Sequence, residues 1–358
     1  MESLNVQGAP AVYRCEQGVL AQLPDLLKGK HVNKAGLIHG EQSWSAAEPH
    51  IPDLPLSISY QKYNGECSHK EVERLCENLS GAELIIGVGG GKILDLAKAS
   101  GDRLDKPVVL IPTLPSNCAA WTPLSVFYDE TGNFEEYIVF PRSTLMVLVD
   151  PDLLLASPVE YLRAGIGDTI AKWYEADVLT RHIKTKPVPL DVSLHAAKLC
   201  RDVLIENGSD SIRAHQQQEV DPSFIRVVET IILAGGMVGG FGDVYGRISG
   251  AHSVHNGLTK VKETHGHLHG DKVAYGILVQ LALEERFEEI ERLYPFYQKM
   301  QLPRSLYDLG LREITNEAVQ TIARYTTRQG ESIHLMGVSE ADVVVAAIQN
   351  VEELYHKQ

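Results

Sequence analysis

The chain has 358 residues, enough for two domains with separate cores, and 44% apolar and 22% charged residues, the balance of an ordinary globular protein. A net charge of −14 with no Lys/Arg-rich run argues against nucleic acid as a partner. Five scattered cysteines, an odd number, suggest neither a disulfide framework nor a thiolate zinc site.

Met1-Glu2-Ser3-Leu4-Asn5 lacks the basic stretch and apolar core of a signal peptide, and no apolar run reads as long enough to span a bilayer. The expectation is a cytoplasmic protein with no membrane partner. In the first 150 residues, short apolar runs alternate with helical spacing. Buried strands are expected at 35–39, 83–88, 107–112 and 145–150, with a helix at 69–79 between the first two. Continuous apolar strands separated by helices imply a parallel sheet covered on both faces, a Rossmann-like α/β domain. The runs 124–128 and 136–140 flank Asp129-Glu130-Thr131-Gly132-Asn133, a hairpin with turn residues at its centre.

The strand at 84–88 runs into Gly89-Gly90-Gly91-Lys92-Ile93-Leu94-Asp95. Glycines let the backbone approach a phosphate, and a helix N-terminus presents free N–H groups to it. The spacing is neither GxGxxG nor a P-loop, and a tight turn before a packed helix would use the same residues.

After Pro151 strand-like runs vanish. The boundary is expected near Ser157-Pro158, giving a nucleotide-binding α/β domain at 1–156 and an all-α domain at 157–358. Helices are expected at 190–206, 224–238 and 340–353. In Gly165-Ile166-Gly167-Asp168 the carboxylate follows two glycines and opens an apolar helical pattern, so it reads as an N-cap or as a metal ligand. Lys172, four residues on, shares its helix face. Five of the fourteen histidines lie between His252 and His269: His252, His255, His265, His267 and His269. Neutral imidazole is the commonest protein ligand for divalent metals. One Asp and two His with a position left open suit a catalytic Zn²⁺ or Fe²⁺.

These residues resemble the iron-containing alcohol dehydrogenase and glycerol dehydrogenase family, of the dehydroquinate synthase-like fold. The resemblance rests on 89–98, on Ile111-Pro112-Thr113, and on Gly165–Asp168 followed by the histidine block. It implies a metal on Asp168, His252 and His269, with Zn²⁺ preferred and Fe²⁺ or Ni²⁺ as alternatives. It implies NAD or NADP on Gly89, Gly90, Gly91, Lys92, Ile93, Leu94, Asp95, Thr113, Leu114, Pro115 and Ser116, with further contacts from Thr122, Leu124 and Tyr128. His255, one turn from His252, would relay a proton or support a ligand. His265 and His267 would be loop residues, and the enzyme would be a homo-oligomer acting on a small molecule.

The departures bear on the substrate. Cys118 stands where glycerol dehydrogenases carry an Asp that reaches the polyol, and Lys172 stands where iron-type enzymes put a fourth, histidine ligand. Trp121 would narrow the pocket. Loss of a carboxylate and gain of an ammonium favour an anionic substrate; an ammonium 4–6 Å from a carboxylate is worth a few kcal/mol at an effective dielectric near about 20. Lys172 paired on the helix surface with Glu175 or Asp168 is the competing reading. The run resembles a branch of hydroxycarboxylate dehydrogenase-like proteins that reduce small 2-oxo acids. Glycerol (polyol) dehydrogenase is the alternative, a dehydroquinate synthase-like lyase a more distant one. Gly40 stands where NAD-preferring members place an Asp against the ribose. Its loss admits a 2′-phosphate, but no Arg or Lys follows in sequence to hold one, so the choice between NAD and NADP stays open.

Overall fold

The computed structural model describes residues 4–130 and 132–357; Met1–Ser3 and Thr131 of the expected turn lie outside the described residues. The first half runs β1 (Val12–Cys15), α1 (Leu23–Leu27), β2 (Lys34–His39), α2 (Glu41–Ala47), β3 (Ser57–Lys62), α3 (His69–Asn78), β4 (Leu84–Gly89), α4 (Gly91–Arg103), β5 (Val108–Pro112), β6 (Leu124–Tyr128), β7 (Phe134–Val139) and β8 (Met146–Val149). Six strands form one parallel sheet in the order β1-β8-β5-β4-β2-β3, and β6 and β7 pair as the expected antiparallel hairpin. The four central strands are the apolar runs read from the sequence. The two edge strands, β1 and β3, are additions. In β3, Ser-Ile-Ser-Tyr-Gln-Lys is largely exposed because only one side of it has a neighbour; such a strand needs no continuous apolar run.

The second half is helical: α5 (Pro151–Leu155), α6 (Val159–Thr180), α7 (Val188–Gln216), α8 (Pro222–Glu229), α9 (Gly235–Gly242), α10 (Gly250–Leu258), α11 (His269–Leu283), α12 (Phe287–Met300), α13 (Asn316–Thr326) and α14 (Ala341–His356). A π-helical turn, Thr230–Ala234, joins α8 to α9. The chain is thus an α/β sheet domain followed by a helical domain, and one apolar cluster runs through both: Leu75, Leu96 and Val147 belong to the same core as Ile166, Val254 and Leu278. A second cluster, with Leu20, Leu37, Val88 and Ile111, covers the opposite sheet face.

Two expectations need correction. Asp168 opens no helix. It lies midway along α6, so it is not an N-cap. The two glycines before it serve helix contacts instead: a Cβ at Gly165 would stand 2.0 Å from the carbonyl oxygen of Pro115. Second, the helical stretch Pro222–Tyr245 is long and apolar enough, by length and composition, to cross a membrane, with 67% of its most apolar window buried inside the protein. Its bulky residues Phe224, Val227, Val228, Ile231, Ile232 and Val238 are fully buried, so it serves as a core helix. All five cysteines are free.

Candidate active site

Three helices converge on one point. Asp168 comes from α6, His252 from α10, and His269 is the first residue of α11. The Asp168 Oδ1 atom lies 3.3 Å from His252 Nε2 and 3.3 Å from His269 Nε2. One ligand atom from each of the three residues falls within 4.8 Å of the others. Asp168 is 4% exposed, and its Oδ1 has no aligned hydrogen bond. A buried carboxylate oxygen equidistant from two imidazole nitrogens, bonded to neither, is the donor set a divalent cation would complete. His269 keeps 42% of its side chain exposed, so the group opens on one side.

Close backbone contact makes the convergence possible. A Cβ at Gly270 would stand 1.8 Å from the Ala164 carbonyl oxygen, so only glycine lets α11 lie against α6 one residue after His269.

Glu175 organises one flank. It lies two turns after Asp168 on the same face of α6, and its Oε2 accepts from His252 Nδ1 at 2.8 Å. Its Oε1 accepts from the backbone N–H groups of Ser249 (2.8 Å) and His252 (3.0 Å). With Nδ1–H committed to Glu175, His252 presents Nε2 toward Asp168. Burial opposes charge on Glu175, yet His252 and Lys172 hold its carboxyl below the usual range. Burial likewise opposes charge on Asp168, and the two imidazoles hold it well below that range. Burial works against an imidazolium at His252, but Glu175 and Asp168 raise its pKa to about 9. The sequence reading had given Glu175 only a pairing role with Lys172; the signal was present, since i and i+7 share a helix face.

His255 follows His252 by one turn. Its Nε2 lies 3.0 Å from His269 Nδ1 and its Nδ1 lies 3.0 Å from Asn256 Oδ1. Burial, then the neighbouring imidazoles, press its pKa well below the ordinary histidine value. His265 lies in a short 3₁₀ turn with Nε2 against the Thr259 carbonyl, and His267 follows that turn, so neither joins the Asp168 group.

Lys172 is 8% exposed, which removes it from the helix surface. One N–H donates to the Arg247 carbonyl at 3.1 Å. Burial works against the ammonium, but Cys118, Asp168 and Glu175 together raise its pKa. Burial pushes the Cys118 thiol up, with Lys172 opposing. Trp121 is buried; its Nε1 donates to the Gly8 carbonyl, its ring meets Tyr13 edge-on, and a Cβ at Gly236 would collide with it.

The glycine turn lies where β4 enters α4. Cβ atoms at Gly90 and Gly91 would stand 2.8 Å from Leu114 and 2.9 Å from Asn117, so the turn and the loop after β5 lie against each other. That loop begins at Thr113, whose N–H donates to Gly89, and Pro115 touches α6 at Gly165. The loop therefore connects the glycine turn to the helix bearing Asp168. Lys98, to which the sequence reading gave no role, is buried. Its Nζ pairs with Asp95 at 2.8 Å and donates to the carbonyls of Ala119, Thr122 and Leu124. Asp95 also accepts from the Val126 N–H at 3.1 Å, so it pins the hairpin to α4. Lys92 pairs with Glu66 at 2.6 Å and lies 5.5 Å from the Tyr128 ring centre. Ile93 and Leu94 are buried on α4.

At the far end of the sheet, parallel pairing sets His39 beside Lys62, and Lys62 Nζ pairs with Glu41. A lysine absent from the local sequence is thus adjacent to Gly40 in space.

Residues 10–151 match the family model described as iron-containing alcohol dehydrogenase. The chain is 40% identical over 355 residues to hydroxycarboxylate dehydrogenase A of Escherichia coli (strain K12), covering 98% of each protein. It is 38% identical to glycerol dehydrogenase of Citrobacter freundii, covering 79% of this chain and 78% of the relative. The structure is similar to that of a probable glycerol dehydrogenase from Sinorhizobium meliloti 1021, with a TM-score of 0.90, 28% identity, and coverage of 99% and 100% of the two chains.

Proposed function

The chain belongs to the iron-containing alcohol dehydrogenase family and is a dehydrogenase acting on alcohol groups, and from that premise we propose that it moves a hydride between NAD(P)H and a small 2-oxo acid, with the 2-hydroxy acid as the reduced partner. The observation that carries the substrate class is the buried Lys172 ammonium one helical turn after Asp168, with Cys118 where a glycerol-type site would hold a carboxylate. A buried cation beside the reacting centre attracts a substrate carboxylate, and the thiol does not repel it. The name of the Escherichia coli relative points the same way.

The residues divide the work. A divalent ion on Asp168, His252 and His269, Zn²⁺ by preference with Fe²⁺ or Ni²⁺ compatible, would supply Lewis acidity toward the substrate oxygen. A nicotinamide cofactor along Gly89–Asp95 and Thr113–Ser116 would supply or accept the hydride at C4. The glycine turn offers backbone N–H groups at the start of α4. Glu175 keeps His252 in one tautomer and orientation. Lys172, with one N–H on Arg247, has others with which to orient the substrate carboxylate. Lys98 gathers the carbonyls of the 119–124 loop, and so ties Ala119, Thr122 and Leu124 to the middle of α4.

A panel of 2-oxo acids, neutral ketones and polyols with NADH and NADPH tests the reading. Reduction of 2-oxo acids is expected. Turnover of glycerol with no 2-oxo acid would overturn it in favour of the polyol reading, which the similarity to glycerol dehydrogenases supports. Steady consumption of NAD(P)H would exclude a lyase that regenerates its NAD⁺. Lys172→Thr should raise KM for 2-oxo acids about tenfold to a hundredfold, each factor of ten being about 1.4 kcal/mol, while neutral ketones change little. Cys118→Asp should likewise raise KM for 2-oxo acids, and so lower kcat/KM, by repulsion. An unchanged ratio of 2-oxo acid to ketone kcat/KM in both variants would place the carboxylate elsewhere.

A further inference from the structure

We propose that Asn256 and Glu331 form a polarity lock that sets which ring nitrogens of His255 and His269 carry protons, and that this lock makes His269 offer a bare Nε2 to the metal. The inference rests on the reading of Asp168, His252 and His269 as metal ligands. Glu331 is buried at the start of the segment 331–336, and its Oε1 accepts from Arg328 Nε at 2.8 Å. Its Oε2 lies 2.9 Å from Asn256 Nδ2. The same segment is tied to α10 by the Ile333 N–H, which donates to Ser253 Oγ at 3.0 Å.

The proton positions follow in order. A carboxylate paired with arginine only accepts, so the NH₂ face of Asn256 must point at Glu331. Asn256 Oδ1 then faces His255 Nδ1, and because an amide oxygen cannot donate, that nitrogen carries the proton. His255 Nε2 is therefore a lone pair. His269 Nδ1, 3.0 Å away, must donate to it, which leaves His269 Nε2 unprotonated and facing Asp168. A neutral histidine has one donor and one acceptor nitrogen, so each choice dictates the next. The opposite tautomers would turn the Asn256 oxygen onto the Glu331 carboxylate, acceptor against acceptor, whereas the bare His269 Nε2 and Asp168 Oδ1, 3.3 Å apart, are two lone pairs that a cation would bridge.

The two imidazoles of the site are thus oriented by different devices. His252 is held directly by the Glu175 carboxylate, and His269 through three hydrogen bonds ending on Glu331. In this arrangement both nitrogens of His255 are committed, and the chain of donors passes through the Asn256 amide and ends on the Glu331 carboxylate. Asn256, Glu331 and His255 are accordingly positioning residues.

The test uses full-length protein stripped of metal and titrated with Zn²⁺ against a chromophoric chelator. Asn256→Leu should weaken Zn²⁺ binding about tenfold to a hundredfold, the usual effect of removing a partner behind a metal ligand, with helix content by circular dichroism unchanged. Asn256→Asp should also weaken it, because two carboxylates would face each other. Asn256→Asp combined with Glu331→Gln reverses donor and acceptor along that one bond and keeps an acceptor facing His255, so it should restore most of the affinity. A packing defect would not respond to that swap, and the pair of Asp-containing variants decides the matter if Asn256→Leu does not fold. Unchanged affinity in the folded Asn256→Leu protein, or no recovery in the double variant, overturns the lock. If the unaltered protein takes up no divalent metal, the metal reading itself falls and the lock falls with it.

Discussion

Glu175 shows how a single side chain can set a site it does not directly complete. It satisfies three donors, the N–H groups of Ser249 and His252 and the Nδ1 of His252, from a position sealed among helices. Glu175→Gln keeps an acceptor but loses the charge, and is expected to lower metal affinity about tenfold. Glu175→Leu strands buried N–H groups and should in addition cost about 2 kcal/mol of stability. Metal content after dialysis against a chelator, together with urea unfolding, separates the two effects. Metal retention unchanged from the parent in both variants would mean that His252 needs no carboxylate behind it. Lys172 was legible as a buried charge only in three dimensions. In sequence it is one lysine among hydrophobic residues, and whether it reaches water depends on α9 and on the segment at Arg247, far along the chain.

Helix-to-helix distance controls the site at the scale of elements. The contact of Gly270 with Ala164 holds the first turn of α11 against the middle of α6, and places His269 opposite Asp168. Gly270→Ala puts a methyl into a carbonyl that cannot move without its whole helix. The expected cost is about 3 kcal/mol, with loss of metal retention beyond what the instability explains; a protein of unchanged stability in urea would contradict the close approach. Parallel strand register acts similarly at the other end of the sheet. By pairing His39 with Lys62 it brings a cation to the Gly40 turn, and Glu41 neutralises it. Glu41→Gln should free Lys62 for a 2′-phosphate and raise the NADPH:NADH ratio of kcat/KM. An unaltered ratio would mean that the ribose of the cofactor lies away from this pair.

At the scale of the whole molecule, the end of α7 closes on α5, the first helix after the sheet. Gln218 donates to the Leu155 carbonyl at 3.0 Å, and the buried His215 ring lies against Phe224. Burial lowers the His215 pKa below its ordinary 6.5, with the Ser157 backbone and Glu160 opposing. The unfolded chain therefore takes up this proton more readily than the folded one. The contribution of neutral His215 is fully present above about pH 6.5 and is lost as pH falls from there through the lowered value. Urea unfolding between pH 8 and pH 5 should show a shallower acid loss for His215→Leu than for the parent. Identical slopes would assign the acid sensitivity to other groups.

Local chemistry was enough to determine the central strands, the hairpin and the helical character of the second half, because apolar periodicity is decided by near neighbours. The crowding of five histidines into one short segment pointed to a metal, but the choice of Asp168, His252 and His269 as the candidate set came from the family resemblance. The edge strands escaped, because their stability comes from a partner strand rather than from their own composition. The place of Asp168 within a helix was hidden by two glycines that look like a helix start but serve close contacts with Pro115 and Gly270. Glu331 lies 75 residues from Asn256, and Lys62 more than twenty from Glu41. No spacing rule connects such pairs. Only the packing of helices and the register of strands, which sum many weak contacts over the whole chain, decided that they meet.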